Sequence, residues 1–310
     1  MLARPLSVAT AAYLLGGLGN VAFSAHSGSV AGLVLLRFLF GAALAIGFLK
    51  LQRPERPALR SVRRPRVWLM VSAACESGAV VLLIAASEYV STLVFTLVGL
   101  AGTAVLARAG RWLSLGSETR GQALVATGAV CVAALSVLTS SDISGRAEIA
   151  GIVLALCSTG LGLVASLTGS FAASVRHPAE IVQAMAVWGC VWAGVLVLAG
   201  ADVSLSWSTV GAAAFIALLP GGVAKMAVYW ALARTAPYLV SACSAVALLS
   251  ATLGGWLVLN ETPSLVSLFF ALVAAALVAT LSLLTPAARQ DPGSMPVANP
   301  TPGTLHTNQP

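Results

Sequence analysis

Charged residues are scarce in this chain, and their scarcity argues against a soluble globular protein. Only 9% of its 310 residues are Asp, Glu, Lys or Arg, whereas 58% are apolar. Soluble domains have about a quarter charged residues, so little of this chain could form a soluble domain. The composition therefore predicts an integral membrane protein.

Motifs of enzymes and metal sites are also absent from the sequence. There is no HExxH, GxSxG or P-loop, and the histidines (His26, His177 and His306) lie outside the predicted helices or at their edges. The five cysteines lie in apolar runs without metal or redox spacing, which is typical of packing residues. We therefore predict that the protein is not an enzyme and that it needs no metal or cofactor.

What the chain has instead is a series of apolar runs long enough to cross a bilayer. A helix needs about 20 residues to span the hydrocarbon core, and ten runs come near this length. They are Val8–Ala25, Val30–Leu49, Val67–Ala86, Tyr89–Ala107, Gln122–Leu138, Ile149–Ala172, Ile181–Leu198, Val210–Ala233, Tyr238–Leu259 and Leu265–Leu284. We predict an all-α membrane protein of ten transmembrane helices. Residues 286–310, rich in Pro, Gly, Asn and Thr, are expected to form a disordered cytoplasmic tail.

Positive charges lie almost entirely on one side of the predicted membrane. Of the 17 Lys and Arg residues, two lie within predicted helices (Arg37 and Lys225) and one lies in an outer loop (Arg146). The other 14 lie on the inner side if the N-terminus is cytoplasmic. This positive-inside pattern predicts a multi-pass protein of the cell inner membrane with both termini in the cytoplasm. It explains the net charge without a nucleic-acid partner and leaves membrane lipid as an expected partner.

The two halves of the chain echo each other. The segment that begins at Tyr89 aligns with the one that begins at Tyr238 at an offset of 149 residues, and a Glu-Thr pair precedes the last helix of each half. Five predicted helices per half is an odd number, so the second half enters the membrane in the opposite orientation. Inverted repeats are common in secondary transporters. We predict one five-helix repeat at residues 1–140 and a second at 141–285.

Two opposite charges occupy equivalent places in these halves. Glu76 and Lys225 are each the only charge in an apolar run, and their numbers differ by 149. Counted from Arg66 and Arg234, both lie roughly 14 Å above the cytoplasmic surface at 1.5 Å per residue, so they can meet between the halves. We interpret them as a central substrate site, with Glu76 as a proton-coupling candidate. The alternative is an ion pair that only holds one conformation.

A Pro-Gly-Gly sequence shortly before Lys225 predicts an irregular helix. Pro220 removes a backbone donor, while Gly221 and Gly222 have no side chain to stiffen the helix. Irregular backbone at membrane depth is tolerated only where protein or water surrounds it. We therefore predict a helix break at these three residues and a cavity beside Lys225.

Three further polar residues are candidates for substrate binding. Arg37 could attract an anionic group, satisfy helix-end carbonyls or snorkel outward. Tyr229, one turn beyond Lys225, could line the cavity or anchor the helix at the interface, and Asn20 could bind substrate or bond to a neighbouring helix. Glu261 is interpreted as a cap of its own helix.

Several segments resemble the drug/metabolite transporter superfamily, in its ten-helix EamA-type branch. Residues 231–242 with 257–263 are similar to the family's Ala-Leu helix end, small-residue helix and Leu-X-Glu turn, and Leu36-Arg37-Phe38 is similar to its Leu-Arg-Phe segment. The fourth and ninth predicted helices lack the family's usual proline, as in a divergent member. The resemblance implies alternating-access transport of small metabolites, commonly export of amino acids or drugs.

These features together predict a secondary active transporter that exports small polar metabolites such as amino acids, as a monomer or homodimer. Its central site would contain Glu76 and Lys225, with proton coupling as an option. The alternative is a membrane-embedded enzyme or lipid-handling protein in which the same two residues form a structural ion pair.

Overall fold

The computed structural model describes residues 3–26, 28–52, 65–113, 127–135, 146–174, 176–235, 239–240 and 243–283. These residues form helices and short connections, with no β-strand among them. The helices are α1 (Ala3–Ser24), α2 (Val30–Gln52), α3 (Pro65–Ala86), α4 (Thr92–Leu113), α5 (127–135), α6 (Arg146–Ala173), α7 (Pro178–Leu198), α8 (Trp207–Leu218), α9 (Lys225–Leu232), α10 (Ala245–Leu259) and α11 (Leu265–Leu283). The predicted tail at 286–310 lies outside the described residues.

Six spans in the described part of the chain are long and apolar enough to cross a membrane. They are Arg4–Ser24, Val30–Leu51, Arg66–Ala86, Arg146–Ala173, Pro178–Leu198 and Trp207–Leu232. Shorter apolar helices occur at Thr92–Gly102, Ala245–Leu259 and Leu268–Val278. The protein is thus an all-helical, membrane-embedded chain, and the count of ten crossings stays a prediction.

Helices approach each other closely where glycines face a neighbour. A Cβ atom on Gly17 of α1 would lie 2.4 Å from the carbonyl oxygen of Ala247 on α10. A Cβ on Gly102 of α4 would lie 2.0 Å from the Thr159 side chain of α6. Small residues allow such approach in membrane bundles, where association depends on packing rather than on exclusion of water.

The helix contacts fall into equivalent sets. The helix α3 packs against α6 and α7, just as the region from α8 to α9 packs against α1 and α2. Likewise α4 contacts α6, and α10 contacts α1, while α2 with α7 and α4 with α10 pack directly. The two sets are related by adding 149 to the residue numbers of α3 and α4 and subtracting 149 from those of α6 and α7.

The backbone at Pro220, Gly221 and Gly222 is irregular, as predicted, but the predicted break in the helix is absent. The chain passes from α8 through a π-helical turn, Leu219–Ala224, directly into α9, so that Trp207–Leu232 is one span of 26 residues. The wider turn accommodates Pro220, which has no N–H to donate and would crowd an α-helical turn. Glycine is needed next, because a Cβ on Gly221 or Gly222 would lie 2.8 or 2.7 Å from the carbonyl oxygen five residues earlier.

Candidate functional site

An ion pair joins the two halves of the chain within the helix bundle. The Nζ of Lys225, the first residue of α9, donates a hydrogen bond to Oε1 of Glu76 on α3. The Glu76 side chain is 11% exposed and that of Lys225 is 31% exposed. The two charges therefore meet, as their spacing in the sequence predicts.

A cavity of about 280 Å³ lies beside this ion pair. Its wall is formed by residues of α1, α2, α3, α4, α6, the π-helical turn, α9 and the start of α10. The charged side chains in this wall are Arg37, Glu76 and Lys225, and most of the others are apolar or small. Ligand pockets usually enclose about 300–1,000 Å³, so this cavity suits a compact solute.

Asn20 lines the cavity and also bonds between helices. Its Nδ2 donates to Oγ1 of Thr96 on α4 at 3.1 Å, and the Thr96 hydroxyl donates to the Thr92 carbonyl at 2.7 Å. The bond to a neighbouring helix is thus confirmed, whereas substrate binding by Asn20 stays a prediction. Thr96 itself, and Tyr13 on α1, also line the cavity. Each shares its apolar run with other polar residues, so the sequence alone contains no signal that singles it out.

Arg37 lies inside the bundle rather than at its edge. It is 5% exposed, and its guanidinium carbon lies 4.7 Å from the ring centre of Phe38 and 5.9 Å from that of Phe23. Its Nε and Nη1 have no hydrogen-bond partner within the described part of the chain. The snorkelling alternative is therefore wrong, because the side chain is buried within the bundle, where it lines the cavity.

Tyr229 does not line the cavity as its register predicts. It is 3% exposed, and its hydroxyl donates to Sδ of Met185 on α7 at 3.7 Å. A Cβ on Gly169 would lie 2.9 Å from the tyrosine ring. The missing side chain in α6 thus leaves a slot that takes this ring, and Tyr229 packs between helices instead.

Glu261 caps a different helix from the one expected. Its Oε1 accepts a hydrogen bond from the backbone N–H of Thr92, at the start of α4, at 3.3 Å. The Thr92 hydroxyl lies 3.2 Å from the same oxygen and 2.9 Å from Oγ of Ser24. The reason is local: Asn260 adopts a left-handed conformation (φ 55°) that ends α10 and redirects the chain. Gly255 then leaves room for the carboxylate.

Comparisons with known proteins bear on the fold alone. No family model matches the chain, and no curated protein matches it. Among solved structures 28 chains match, and one, a protein of known crystal structure, aligns with a TM-score of 0.70 and 17% identity. The alignment covers 92% of this chain and 99% of the other. The chain thus has a fold already seen in a crystal structure over almost its whole length.

Proposed function

We propose that the chain is a secondary active transporter that moves small polar metabolites, such as amino acids, by alternating access. The two inverted five-helix repeats, residues 1–140 and 141–285, would rock against each other around the cavity. One observation carries the proposal: Glu76 and Lys225 form an ion pair beside a cavity, at the contact between the two halves. Intramembrane charges are costly and mostly functional.

Symmetry supports the inverted repeat. Two residues related by a two-fold axis can touch only close to that axis, and Glu76 and Lys225 touch with a separation of 149 residues. The equivalent sets of helix contacts follow from the same offset. An odd number of crossings per half makes such an axis lie in the membrane plane, where transporters place their substrate sites.

Alternating access requires an element that has two states, and the ion pair is such an element. A substrate with an ammonium or carboxylate group competes for Glu76 or Lys225, so binding can separate the pair and change the contact between the repeats. The π-helical turn ends immediately before Lys225. Its irregular backbone is a favourable place for α9 to turn relative to α8.

Contacts at the outer ends of the helices would have to open in one of these states. Ser29, between α1 and α2, donates to the carbonyl oxygen of Asp202, between α7 and α8. Glu261 reaches from the second half to Thr92 in the first. Given cytoplasmic termini, both contacts close the outer side. Export and membership of the EamA-type transporters complete the proposal and are supported by the family resemblance. Proton coupling would use Glu76, the carboxylate of the ion pair.

Flux into sealed vesicles tests the proposal. Purified protein is reconstituted, and uptake of a radiolabelled amino-acid mixture is measured together with internal pH. Glu76→Gln and Lys225→Ala are expected to reduce flux at least tenfold, and the charge-swapped double variant is expected to recover part of it. The same substitutions at exposed residues, Glu88→Gln and Lys50→Ala, serve as controls.

Two outcomes of this experiment would contradict the proposal. Equal flux in wild type and in all three variants, at equal yield of folded protein, would leave the ion pair with a structural role only. Conversion of a substrate by detergent-solubilised protein, without a sealed compartment, would favour the membrane-embedded enzyme.

A further inference from the structure

The charges in the cavity wall do not balance. Glu76 and Lys225 neutralise each other through their ion pair, whereas Arg37 is not paired with any carboxylate in the described residues. The wall therefore has a net charge of one positive unit. A guanidinium keeps this charge at any physiological pH, so the cavity is suited to a ligand with one negative charge.

The surroundings of Arg37 are those of a built site rather than of a structural ion pair. Phe38 and Phe23 lie against the guanidinium, which partly compensates for its burial. Neither ring can accept the hydrogen bonds of Nε and Nη1, which stay unpartnered within the described residues. Burying a cation without such partners is costly, and rules of this kind are broken mainly at functional sites.

The π-helical turn leaves the space in which this guanidinium lies. A Cβ on Gly221 would lie 3.2 Å from Nη2 and 3.5 Å from Nε of Arg37. The position of Arg37 is thus defined by three elements: α1 through Phe23, α2 through Phe38, and the π-helical turn. Groups fixed on packed helices bind with more precise geometry than groups on loops.

We propose that Arg37 binds the carboxylate of the transported molecule, and that this molecule is a compact organic monocarboxylate with an apolar body. A carboxylate matches the planar donors of a guanidinium and forms charge-assisted hydrogen bonds with it. Val80, Leu83 and Phe95 provide apolar wall for the rest of the molecule. A monoanion compensates the net positive charge of the cavity wall, whereas a zwitterion leaves it uncompensated.

This inference rests on the proposed transporter and changes its substrate class from amino acids to monocarboxylates. The test uses the purified full chain in detergent and measures the shift of its melting temperature, since a ligand stabilises the protein it binds. The probes are matched sets of one shape: isocaproate, isocaproamide and leucine, and hydrocinnamate, hydrocinnamamide and phenylalanine. Sodium chloride and inorganic phosphate at equal ionic strength distinguish an organic carboxylate from a simple anion.

The carboxylates are expected to raise the melting temperature, and the amides are expected to leave it unchanged. Arg37→Gln should weaken carboxylate binding by roughly 30-fold or more, because the anion then loses its charged partner. Arg234→Gln serves as the matched control, since Arg234 is exposed and stacks on Trp230. An unchanged affinity in Arg37→Gln would overturn the inference.

Other outcomes would overturn it as well: equal shifts with carboxylates and amides, a larger shift with leucine or phenylalanine than with the matching acid, an equal shift with chloride or phosphate, or no shift with any acid. Flux separates this failure from that of the proposed function. Transport that depends on Glu76 and Lys225 but not on Arg37 would preserve the transporter and remove the carboxylate site. Carboxylate binding without flux would preserve the carboxylate site and contradict the proposed transporter.

Discussion

Two cations line one cavity, and among the described residues only one of them has a counter-charge. Lys225 donates to Glu76, whereas Arg37 lies against two aromatic rings with two of its nitrogens unpartnered in the described part of the chain. The paired cation is suited to hold the two halves together and to release them. The unpaired cation is suited to hold something that comes from outside the chain. The charge of Lys225 and Arg37 and their depth in the bundle do not distinguish these two roles. The groups that contact each cation do.

We expect the largest loss of stability when the counter-charge of Lys225 is removed. Glu76→Gln leaves an uncompensated ammonium and should lower the free energy of unfolding by roughly 3 kcal/mol, at the low end for buried pairs, because the Lys225 side chain is 31% exposed. Thermal unfolding in detergent measures this loss, with Glu88→Gln as the control. A double variant with the charges exchanged should regain more than half of it. No loss in Glu76→Gln would show that the pair contributes nothing to the fold.

A methyl group at Gly221 should disturb both cations, because the π-helical turn touches Arg37 and leads into Lys225. The added Cβ would lie 2.8 Å from the Ile216 carbonyl oxygen, so Gly221→Ala should cost about 2 kcal/mol of stability through overpacking. Gly211→Ala, on the same helix with open space around it, is the control and should be neutral. Equal melting temperatures for the two variants would contradict the crowding described for the turn.

Removal of the unpaired cation should raise the stability of the protein, whereas removal of Glu76 lowers it. Arg37→Met replaces a buried, unpartnered guanidinium with an apolar side chain and should raise the free energy of unfolding of the ligand-free protein by about 1 kcal/mol. The lost contact with Phe38 and Phe23 limits the gain. Arg234→Met is the control and should change little. A fall in melting temperature as large as that of Glu76→Gln would mean that Arg37 has a structural partner.

The smallest effect is expected at the start of α4, where the Glu261 carboxylate caps the helix. Glu261→Gln keeps the shape of the side chain but removes its charge from the start of α4, which should cost about 0.5 kcal/mol. Thermal unfolding at low and high salt measures it, since salt screens such contacts. A loss that does not shrink at high salt would contradict an electrostatic cap.

The sequence was sufficient where a feature depends on composition or on numbering. Charge scarcity predicts a helical membrane protein, and the offset of 149 with equal depth predicts that Glu76 and Lys225 meet. Helix length and periodicity determine both results, because the rise per residue is fixed. Neither prediction required knowledge of how side chains pack between individual helices.

Features that depend on a neighbouring helix could not be predicted in this way. Tyr229 has the register of a cavity residue, but Gly169 of another helix opens the slot that takes its ring. Glu261 stands near the start of its own helix, yet the left-handed Asn260 turns it toward Thr92. The direction of Arg37 likewise depends on Phe23 and on the space at Gly221. For Tyr229 and Arg37 the signal lies in a segment remote in the chain, whereas for Glu261 it lies in the conformation of the preceding residue.

The central claim is that the cavity opens to alternate sides of the membrane under control of the ion pair. Ser166→Cys places a thiol in the cavity wall, in a background whose five native cysteines are replaced by alanine or serine. A membrane-impermeant maleimide, added inside or outside oriented vesicles, reports the side from which this thiol is accessible. We expect labelling from one side only, and a shift toward the other side in Lys225→Ala. Labelling from both sides at once, or the same side with and without the ion pair, would contradict the account.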